Sequence, residues 1–365
     1  MIKLGLYGAG NRTKSLIDTF KYDDFYKVHA VYDLNENAAT ALAAAYGGTV
    51  CKSAEELASF DGVDAYLISL APVAHADALR KMIPAGKPIF IEKPVSFSGA
   101  EMKELALLAE KYNVPVQVGF MRRYLPETLA ALDYIKTNET GQVFSVDCTW
   151  LHHGETEMNY HVFNNTNDFR LKVSQIPFHC CHQLDVMLLM GGKVKSVTSH
   201  MNKIIDRPYP SPDDLTANVV FESGAIGRFH YSSMVYYGEI SYRFHAENYS
   251  IKMNTQDKQM LEIFHRPRFV TSRLGKEPEK QADCGKFNVT YEGFCKPDTM
   301  EFSQGLAYAN ENIMYDFVRT VRDGVKPWAD LWAAARVQGF AEAIELSAKL
   351  GRTIEFDEDG LPIID

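Results

Sequence analysis

The sequence predicts an α/β fold of two domains, a parallel-sheet domain followed by an α+β domain with a large open, mostly antiparallel sheet. Up to about residue 120, short apolar strands alternate with helical segments, which is typical of a parallel sheet with right-handed crossovers. After Gly141 the apolar residues recur at every second position in consecutive segments, which indicates antiparallel strands. A length of 365 residues also favours two cores. We predict domains over residues 1–123 and 124–365, with two C-terminal helices, Asn310 to Asp323 and Leu331 to Leu350, packing back toward the first domain.

The chain opens with a predicted strand, Ile2 to Tyr7, that leads directly into Gly8-Ala9-Gly10 and then a helix from Lys14 to Lys21. This order is the context that a dinucleotide-binding fingerprint requires. Gly8 permits the tight turn, and Gly10 lets the backbone approach a pyrophosphate at the helix N-terminus. The third glycine position holds Thr13. The first segment therefore predicts a Rossmann domain.

An acid ends the second predicted strand, because Asp33 follows Val28 to Tyr32 and lies 23 residues after Gly10. A carboxylate about twenty residues after the glycines binds the ribose hydroxyls of NAD. Since it also repels a 2′-phosphate, Asp33 favours NAD over NADP. The alternative is that Asp33 caps the following helix.

A second candidate site follows the apolar run Ile89-Phe90-Ile91. Glu92 and Lys93 lie at the carboxyl end of this predicted strand, where ligands bind in open α/β sheets. Pro94 ends the strand, and a cis bond before it would turn the chain sharply. The alternative is a surface ion pair beside an ordinary turn.

Histidines and an acid mark the segment between the first two strands of the second domain. We predict a helix that starts after Pro177, ends at Gly191 and places His179, His182 and Asp185 on one side. A carboxylate one turn from an imidazole sets its tautomer and raises its basicity, which suits a general acid/base. The alternatives are a structural histidine in the domain interface and a zinc site. We predict no metal, although seven candidate ligands lie close in sequence: His152, His153, His161, His179, Cys180, Cys181 and His182.

With these residues assembled, the chain resembles the Gfo/Idh/MocA family of NAD(P)-dependent oxidoreductases over nearly its whole length. The resemblance is carried by Gly8-Ala9-Gly10-Asn11-Arg12, Leu70-Ala71 with His75, Gly86-Lys87-Pro88, Glu92-Lys93-Pro94, Gly119-Phe120-Met121-Arg122-Arg123-Tyr124 and His182-Gln183-Leu184-Asp185. It implies hydride transfer between nicotinamide and a sugar, polyol or derivative, in dimers or tetramers formed through the open sheet face. It further implies that Lys93 holds the reacting oxygen and that His182 moves its proton.

The resemblance also implies the site residues. The predicted catalytic residues are Lys93, His182 and Asp185, with Asp185 orienting His182. The predicted cofactor-binding residues are Gly8, Gly10, Asn11, Arg12, Asp33, Leu70, His75, Glu92 and Lys93. The predicted substrate-binding residues are Lys93, Arg123, His179 and His182. A salt bridge at the domain junction is the alternative for Arg123.

Two departures from the family pattern affect these assignments. Phe178 stands where the family frequently carries an aspartate, and Leu70-Ala71 stands where it carries Thr-Pro. The leading hypothesis is an NAD-dependent dehydrogenase of a sugar-like alcohol. The alternatives are an NAD-binding sensor that has lost the chemistry and a glycosidase that uses NAD transiently.

Charge and composition exclude other classes. A net charge of −9 argues against nucleic acid, which requires a basic surface. The N-terminus shows no signal sequence, and no run of about eighteen apolar residues predicts a membrane span. Six cysteines without paired CxxC spacing indicate free thiols. We therefore expect a cytoplasmic protein.

Overall fold

A computed structural model describes residues 1–19, 25–137, 141–153, 173–206, 210–254, 260–265, 285–286 and 302–364. The predicted end of the first helix, at Lys21, lies outside these residues. Within them the chain forms two sheets, and the predicted boundary at residue 123 falls in a short 3-10 helix, Met121–Tyr124, that follows the first sheet.

The first sheet is parallel throughout, as predicted. Its strands are β1 (Ile2–Tyr7), β2 (Tyr26–Tyr32), β3 (Thr49–Val50), β4 (Ala65–Ile68), β5 (Ile89–Ile91) and β6 (Val116–Val118). Their order is β3-β2-β1-β4-β5-β6. The chain switches sides between β1 and β4, and the crevice at such a switch point is where open α/β sheets bind ligands.

Helices alternate with these strands. They are α1 (Asn11–Asp18), α2 (Glu36–Tyr46), α3 (Ala54–Ser59), α4 (His75–Met82), α5 (Gly99–Lys111) and α6 (Pro126–Thr137). The predicted single helix after Pro177 is two helices, α7 (Gln175–Phe178) and α8 (Cys181–Gly191). Two long helices follow in the C-terminal part, α9 (Phe302–Asp323) and α10 (Leu331–Leu350).

The second sheet is large and mostly antiparallel, which confirms the prediction for the C-terminal domain. Its strands are β7 (Val143–His153), β8 (Val194–Asn202), β9 (Asp214–Phe221), β10 (Ile226–Ser232), β11 (Met234–Ala246), β12 (Tyr249–Asn254), β13 (Met260–His265), β14 (Gly285–Lys286) and β15 (Ile354–Glu355). The order is β14-β13-β12-β11-β7-β10-β9-β8-β15, and β7 and β10 form the one parallel pair among the described strands of this sheet. α8 and α10 pack against this sheet.

The C-terminal helices complete the first domain. Ile313, Met314 and Phe317 of α9 are buried in the same apolar core as Leu4 and Leu6 of β1. The Tyr124 hydroxyl donates a hydrogen bond of 2.7 Å to Asp316, so α9 is also tied to the chain that leaves β6. α10 packs along α5. These contacts join the C-terminal helices to the first domain.

Candidate active site

The glycine turn after β1 has the geometry of a pyrophosphate-binding loop. Gly8 has φ +109°, and a Cβ there would lie 2.1 Å from the Ser69 carbonyl oxygen, so only glycine fits. Thr13, at the third glycine position, is buried and donates to the Gly8 carbonyl at 2.9 Å, which closes the turn. Gly10 caps α1 with no atom within 4 Å of where its Cβ would be. The N-terminus of α1 is therefore open to a phosphate group.

Asp33 is held beside this turn. One carboxylate oxygen accepts from the Ala9 N–H at 2.7 Å and the other from the Asn35 N–H at 2.8 Å. Asn35, not Asp33, caps α2, since its side chain accepts from the Ala38 N–H. A carboxylate has about four acceptor positions, so both oxygens of Asp33 retain capacity for hydroxyl groups. The residues of the turn and Asp33 thus fit the pyrophosphate and ribose of a dinucleotide.

Arg12 and Glu92 link this turn to the end of β5. The Arg12 Nε donates to Glu92 at 2.7 Å, and its Nη2 donates to the Asn310 side chain of α9 at 3.0 Å. The second Glu92 oxygen accepts from the Lys93 N–H at 3.2 Å. A Cβ at Gly119 would lie 3.0 Å from the Glu92 carboxylate, so the end of β6 makes room for this side chain. These hydrogen bonds fix the backbone position from which the Lys93 side chain extends.

His75, predicted to be a cofactor-binding residue, is held by hydrogen bonds at both ring nitrogens. Its Nδ1 donates to the Pro94 carbonyl at 2.7 Å, and its Nε2 accepts from the Leu70 N–H at 3.1 Å. Both ring nitrogens are therefore used inside the protein, and the side chain is buried. Burial lowers the pKa of His75, which keeps the ring neutral in this tautomer. His75 thus positions the loop after β4 and the cis Lys93–Pro94 bond.

The Lys93 side chain contacts the end of α7, the short helix that precedes the helix carrying His182. The Lys93 Nζ donates to the Phe178 carbonyl at 3.4 Å and lies 5.2 Å from the Phe178 ring centroid. His182 is in the first turn of α8, and its ring contacts Phe120 edge-on, with the centroids 6.4 Å apart. Burial and, next, the positive charge of Lys93 lower the pKa of His182 well below its ordinary value. A neutral imidazole is therefore placed near an ammonium group, and it can accept a proton.

The surroundings of His182 contain an aromatic ring where the family frequently has an acid. The Phe178 ring stacks on the His179 ring at 4.2 Å, and His179 also contacts Trp150 of β7 edge-on at 6.0 Å. His179 therefore lies between α7 and the second sheet. No hydrogen-bond partner for the His182 Nδ1 is present among the described residues.

Asp185 does not orient His182, which corrects our prediction. Its two carboxylate oxygens accept from the Arg123 Nε at 2.8 Å and Nη2 at 2.6 Å. The Arg123 Nη1 donates to the Trp328 carbonyl at 2.5 Å. Both charged side chains are buried, with exposed fractions of 6% for Arg123 and 0% for Asp185. Arg123 is therefore not a substrate contact either, and the salt-bridge alternative describes it correctly.

Two residues at the site and one buried acid of α6 were not identified from the sequence. Gln338 of α10 donates from its side-chain nitrogen to the Ser96 carbonyl at 2.5 Å and to the Pro177 carbonyl at 3.3 Å, joining the loop after Lys93 to α7. Asn310 holds Arg12. Glu127 is buried without a hydrogen-bond partner for either oxygen among the described residues, and burial raises its pKa to about 7. A polar residue inside an apolar helical face was the available signal for Gln338.

In the described part of the chain, no group of three or more His, Cys, Asp or Glu side chains is arranged to hold a metal ion. Of the zinc alternative, His161 and the His153 side chain lie outside that part. Every described helix is too short or too polar to cross a bilayer.

Comparison with known proteins agrees with this arrangement. Residues 2–120 match a family described as "Oxidoreductase family, NAD-binding Rossmann fold", and residues 128–252 match the GFO/IDH/MocA C-terminal domain. Inositol 2-dehydrogenase of Rhizobium meliloti is 26% identical over 62% of this chain and 66% of its own length. The scyllo-inositol 2-dehydrogenase (NAD(+)) of Bacillus subtilis is 29% identical over 48% of this chain and 51% of its own length. The chain thus spans less than two thirds of each relative.

Solved structures show the same fold. A levoglucosan dehydrogenase in complex with NADH and levoglucosan superposes with a TM-score of 0.82 at 17% identity, covering 98% of this chain and 99% of the other. Fold and site together define a two-domain protein with a dinucleotide-binding Rossmann domain. The chain belongs to the Gfo/Idh/MocA oxidoreductase family.

Proposed function

We propose that the protein is an NAD-dependent oxidoreductase that transfers hydride between nicotinamide and a hydroxyl or carbonyl group of a sugar, polyol or sugar derivative. The observation that carries the proposal is the meeting of Lys93 with the segment that bears His182, at the carboxyl end of β5. The relatives named inositol dehydrogenases support the substrate class. The bound dinucleotide supplies the hydride acceptor.

Other residues of the chain bind the dinucleotide and position Lys93. The Gly8 turn and the open N-terminus of α1 hold the pyrophosphate, and Asp33 accepts from the ribose hydroxyls. A 2′-phosphate would place further negative charge against the Asp33 carboxylate, which favours NAD over NADP. His75 and Gln338 hold the loop that carries Lys93.

Lys93 and His182 act on the substrate oxygen. The Lys93 ammonium donates a hydrogen bond to the reacting hydroxyl and stabilises negative charge that develops on it. His182 accepts the hydroxyl proton, because its lowered pKa keeps the imidazole neutral before the reaction. In the reverse direction, the protonated ring returns the proton to the carbonyl oxygen.

The substrate screen is the first experiment. The purified protein is incubated with NAD and a panel of inositols, aldoses and anhydrosugars, and NADH formation is followed by absorbance. At least one polyol or sugar should give turnover, and His182→Asn should reduce that turnover by about a hundredfold or more without changing NAD affinity. Turnover by the variant equal to that of the wild type would remove His182 from the mechanism.

The screen also separates the second candidate, an NAD-binding sensor. This candidate is favoured by the apolar Phe178 ring beside His179, at the position where the family frequently carries an acid. Tight NAD binding with no NADH formed from any member of the panel would support the sensor. Release of a sugar from a glycoside without net NADH would support the glycosidase.

A further inference from the structure

A second cavity lies beside the Arg123–Asp185 pair. It encloses about 450 Å³ between the C-terminal end of α8, the connection from α9 to α10, and Gly360. Arg123 and Asp185 form part of its wall, whereas Lys93 and His182 do not line it. Cavities of this size hold small molecules. The volume is therefore sufficient for a ligand distinct from the dinucleotide and the sugar.

The charged residues of this cavity are mainly basic. Its four cationic side chains and two carboxylates are Arg123, Lys193, Lys326, Arg336, Asp185 and Asp330. The cavity thus carries a formal excess of two positive charges, although the whole chain has a net charge of −9. Arg123 is matched by Asp185, and Lys326 pairs with Asp330 at 2.8 Å. Within the lining, the excess therefore resides on Lys193 and Arg336, and the neighbouring Asp359 carboxylate offsets part of it.

The terminal nitrogens of the Arg336 guanidinium group are available to bind a ligand. Its Nε donates to the Asp359 carbonyl at 3.0 Å, its charge interacts with the Asp359 carboxylate, and no hydrogen bond engages its two terminal nitrogens in the described chain. The neighbouring Asp359 carboxylate is already bound to Lys103 at 2.6 Å. The Lys193 ammonium donates to the Glu358 carbonyl at 2.6 Å. A guanidinium fork of this kind matches the two oxygens of a carboxylate.

The rest of the lining is apolar. It includes Leu188, Leu189, Val194, Val337 and Trp328. A strongly hydrated phosphate would leave this surface uncovered, whereas an anion with an apolar body would cover it. We infer that this cavity binds a small carboxylate with an apolar body.

Isothermal titration calorimetry of the full chain tests this inference, with benzoate as the probe and benzamide as its uncharged isostere. Benzoate should bind, and benzamide should bind at least about tenfold more weakly, because it lacks the charge that Arg336 pairs with. The affinity for benzoate should be unchanged by saturating NAD. Heat is the readout, so the result does not depend on the proposed dehydrogenase activity.

Variants locate the binding. Arg336→Gln should weaken benzoate about tenfold to a hundredfold, whereas Arg352→Gln, which changes an exposed arginine outside the cavity, should not. If Arg336→Gln fails to fold, Arg336→Lys takes its place and should weaken benzoate several-fold. No binding of benzoate, equal binding of benzamide, binding of inorganic phosphate instead, or equal losses in the variants at 336 and 352 would overturn the inference.

Discussion

At the scale of residues, the Arg123–Asp185 pair is the clearest case in which tertiary position decides a role. Spacing along α8 places Asp185 one turn from His182, so the sequence permits a catalytic dyad. The structure instead brings Arg123, which is 62 residues away in the chain, within 2.6 Å of the carboxylate. No local pattern specifies that encounter, because it depends on how the chain after β6 packs against α8.

Removing one partner of the Arg123–Asp185 pair should strongly destabilise the protein. Asp185→Asn should lower the free energy of unfolding by about 3–5 kcal/mol, because it leaves the Arg123 charge buried without its partner. Urea unfolding of Asp185→Asn, Arg123→Met and the double variant measures the coupling. The double variant should be no less stable than either single variant. Fully additive losses, or a stable Asp185→Asn variant, would contradict the assignment.

Because Glu127 is buried without a hydrogen-bond partner in the described chain, the stability of the fold should fall as the pH rises. An acid in a salt bridge would have the opposite effect. Burial raises the pKa of Glu127 from 4.5 to about 7 in the folded state. The unfolded state therefore loses this proton first, and Glu127 makes the protein less stable as the pH rises from about 4.5 through about 7.

Replacing Glu127 with glutamine tests this pH dependence of stability. Glu127→Gln should raise the free energy of unfolding by about 2 kcal/mol at about pH 8 and by much less at about pH 5. Urea unfolding of the variant and the wild type at both values measures the difference. An equal gain at the two pH values would show that ionisation of Glu127 is not the cause.

At the scale of elements, the sequence was sufficient to predict the bounds of a helix that has a capping residue at its start and a glycine after its end. α10 spans Leu331–Leu350 as predicted, because Asp330 caps it by accepting from the Ala333 N–H, and Gly351 ends it with φ +63°. α9 begins at Phe302, eight residues before the predicted Asn310, since Gly305 weakens the local helical signal.

Other elements had no local signal. β3 and β15 contain two residues each, which is too short for a period to be recognised. The break between α7 and α8 falls at His179–Cys180, where no glycine or proline marks it. The active site depends on this break, because the Phe178 carbonyl at the end of α7 is the group that Lys93 contacts.

Alanine substitutions at the two glycines of the turn should have different effects on NAD binding and on stability. Gly10→Ala should leave the free energy of unfolding within about 1 kcal/mol of the wild type but weaken NAD binding about tenfold or more, because its Cβ would occupy open space where the pyrophosphate approaches. Gly8→Ala should destabilise the fold itself, since its Cβ would collide with the Ser69 carbonyl. Calorimetry with NAD and urea unfolding separate the two. Unchanged NAD affinity in Gly10→Ala would place the cofactor elsewhere.

At the scale of the whole molecule, the second sheet has one covered and one open face. Buried and exposed residues alternate along β9, and α8 and α10 pack on one side. On the open side Val220 and Ile226 are paired neighbours, 39% and 59% exposed. Exposed apolar side chains on an open sheet face favour association with another copy of the chain.

We therefore expect a homodimer or homotetramer formed through this face. Light scattering after size-exclusion chromatography should give a multiple of the chain mass of 41.1 kDa. The double variant Val220→Glu/Ile226→Glu should be monomeric, whereas Leu107→Glu, at a site on α5 that is 48% exposed, should keep the oligomer. A wild-type monomer, or an intact oligomer in the double variant, would refute this interface.

The proposed hydride transfer requires that Lys93 and His182 act on one substrate hydroxyl beside the dinucleotide. The most direct test is Lys93→Met, assayed for NAD binding by calorimetry and for turnover of the substrate found in the screen. Lys87→Met, at a partly exposed lysine six residues earlier, is the matched control. Lys93→Met should bind NAD like the wild type and lose turnover by at least about a hundredfold, while Lys87→Met retains both. Normal turnover by Lys93→Met would contradict the account.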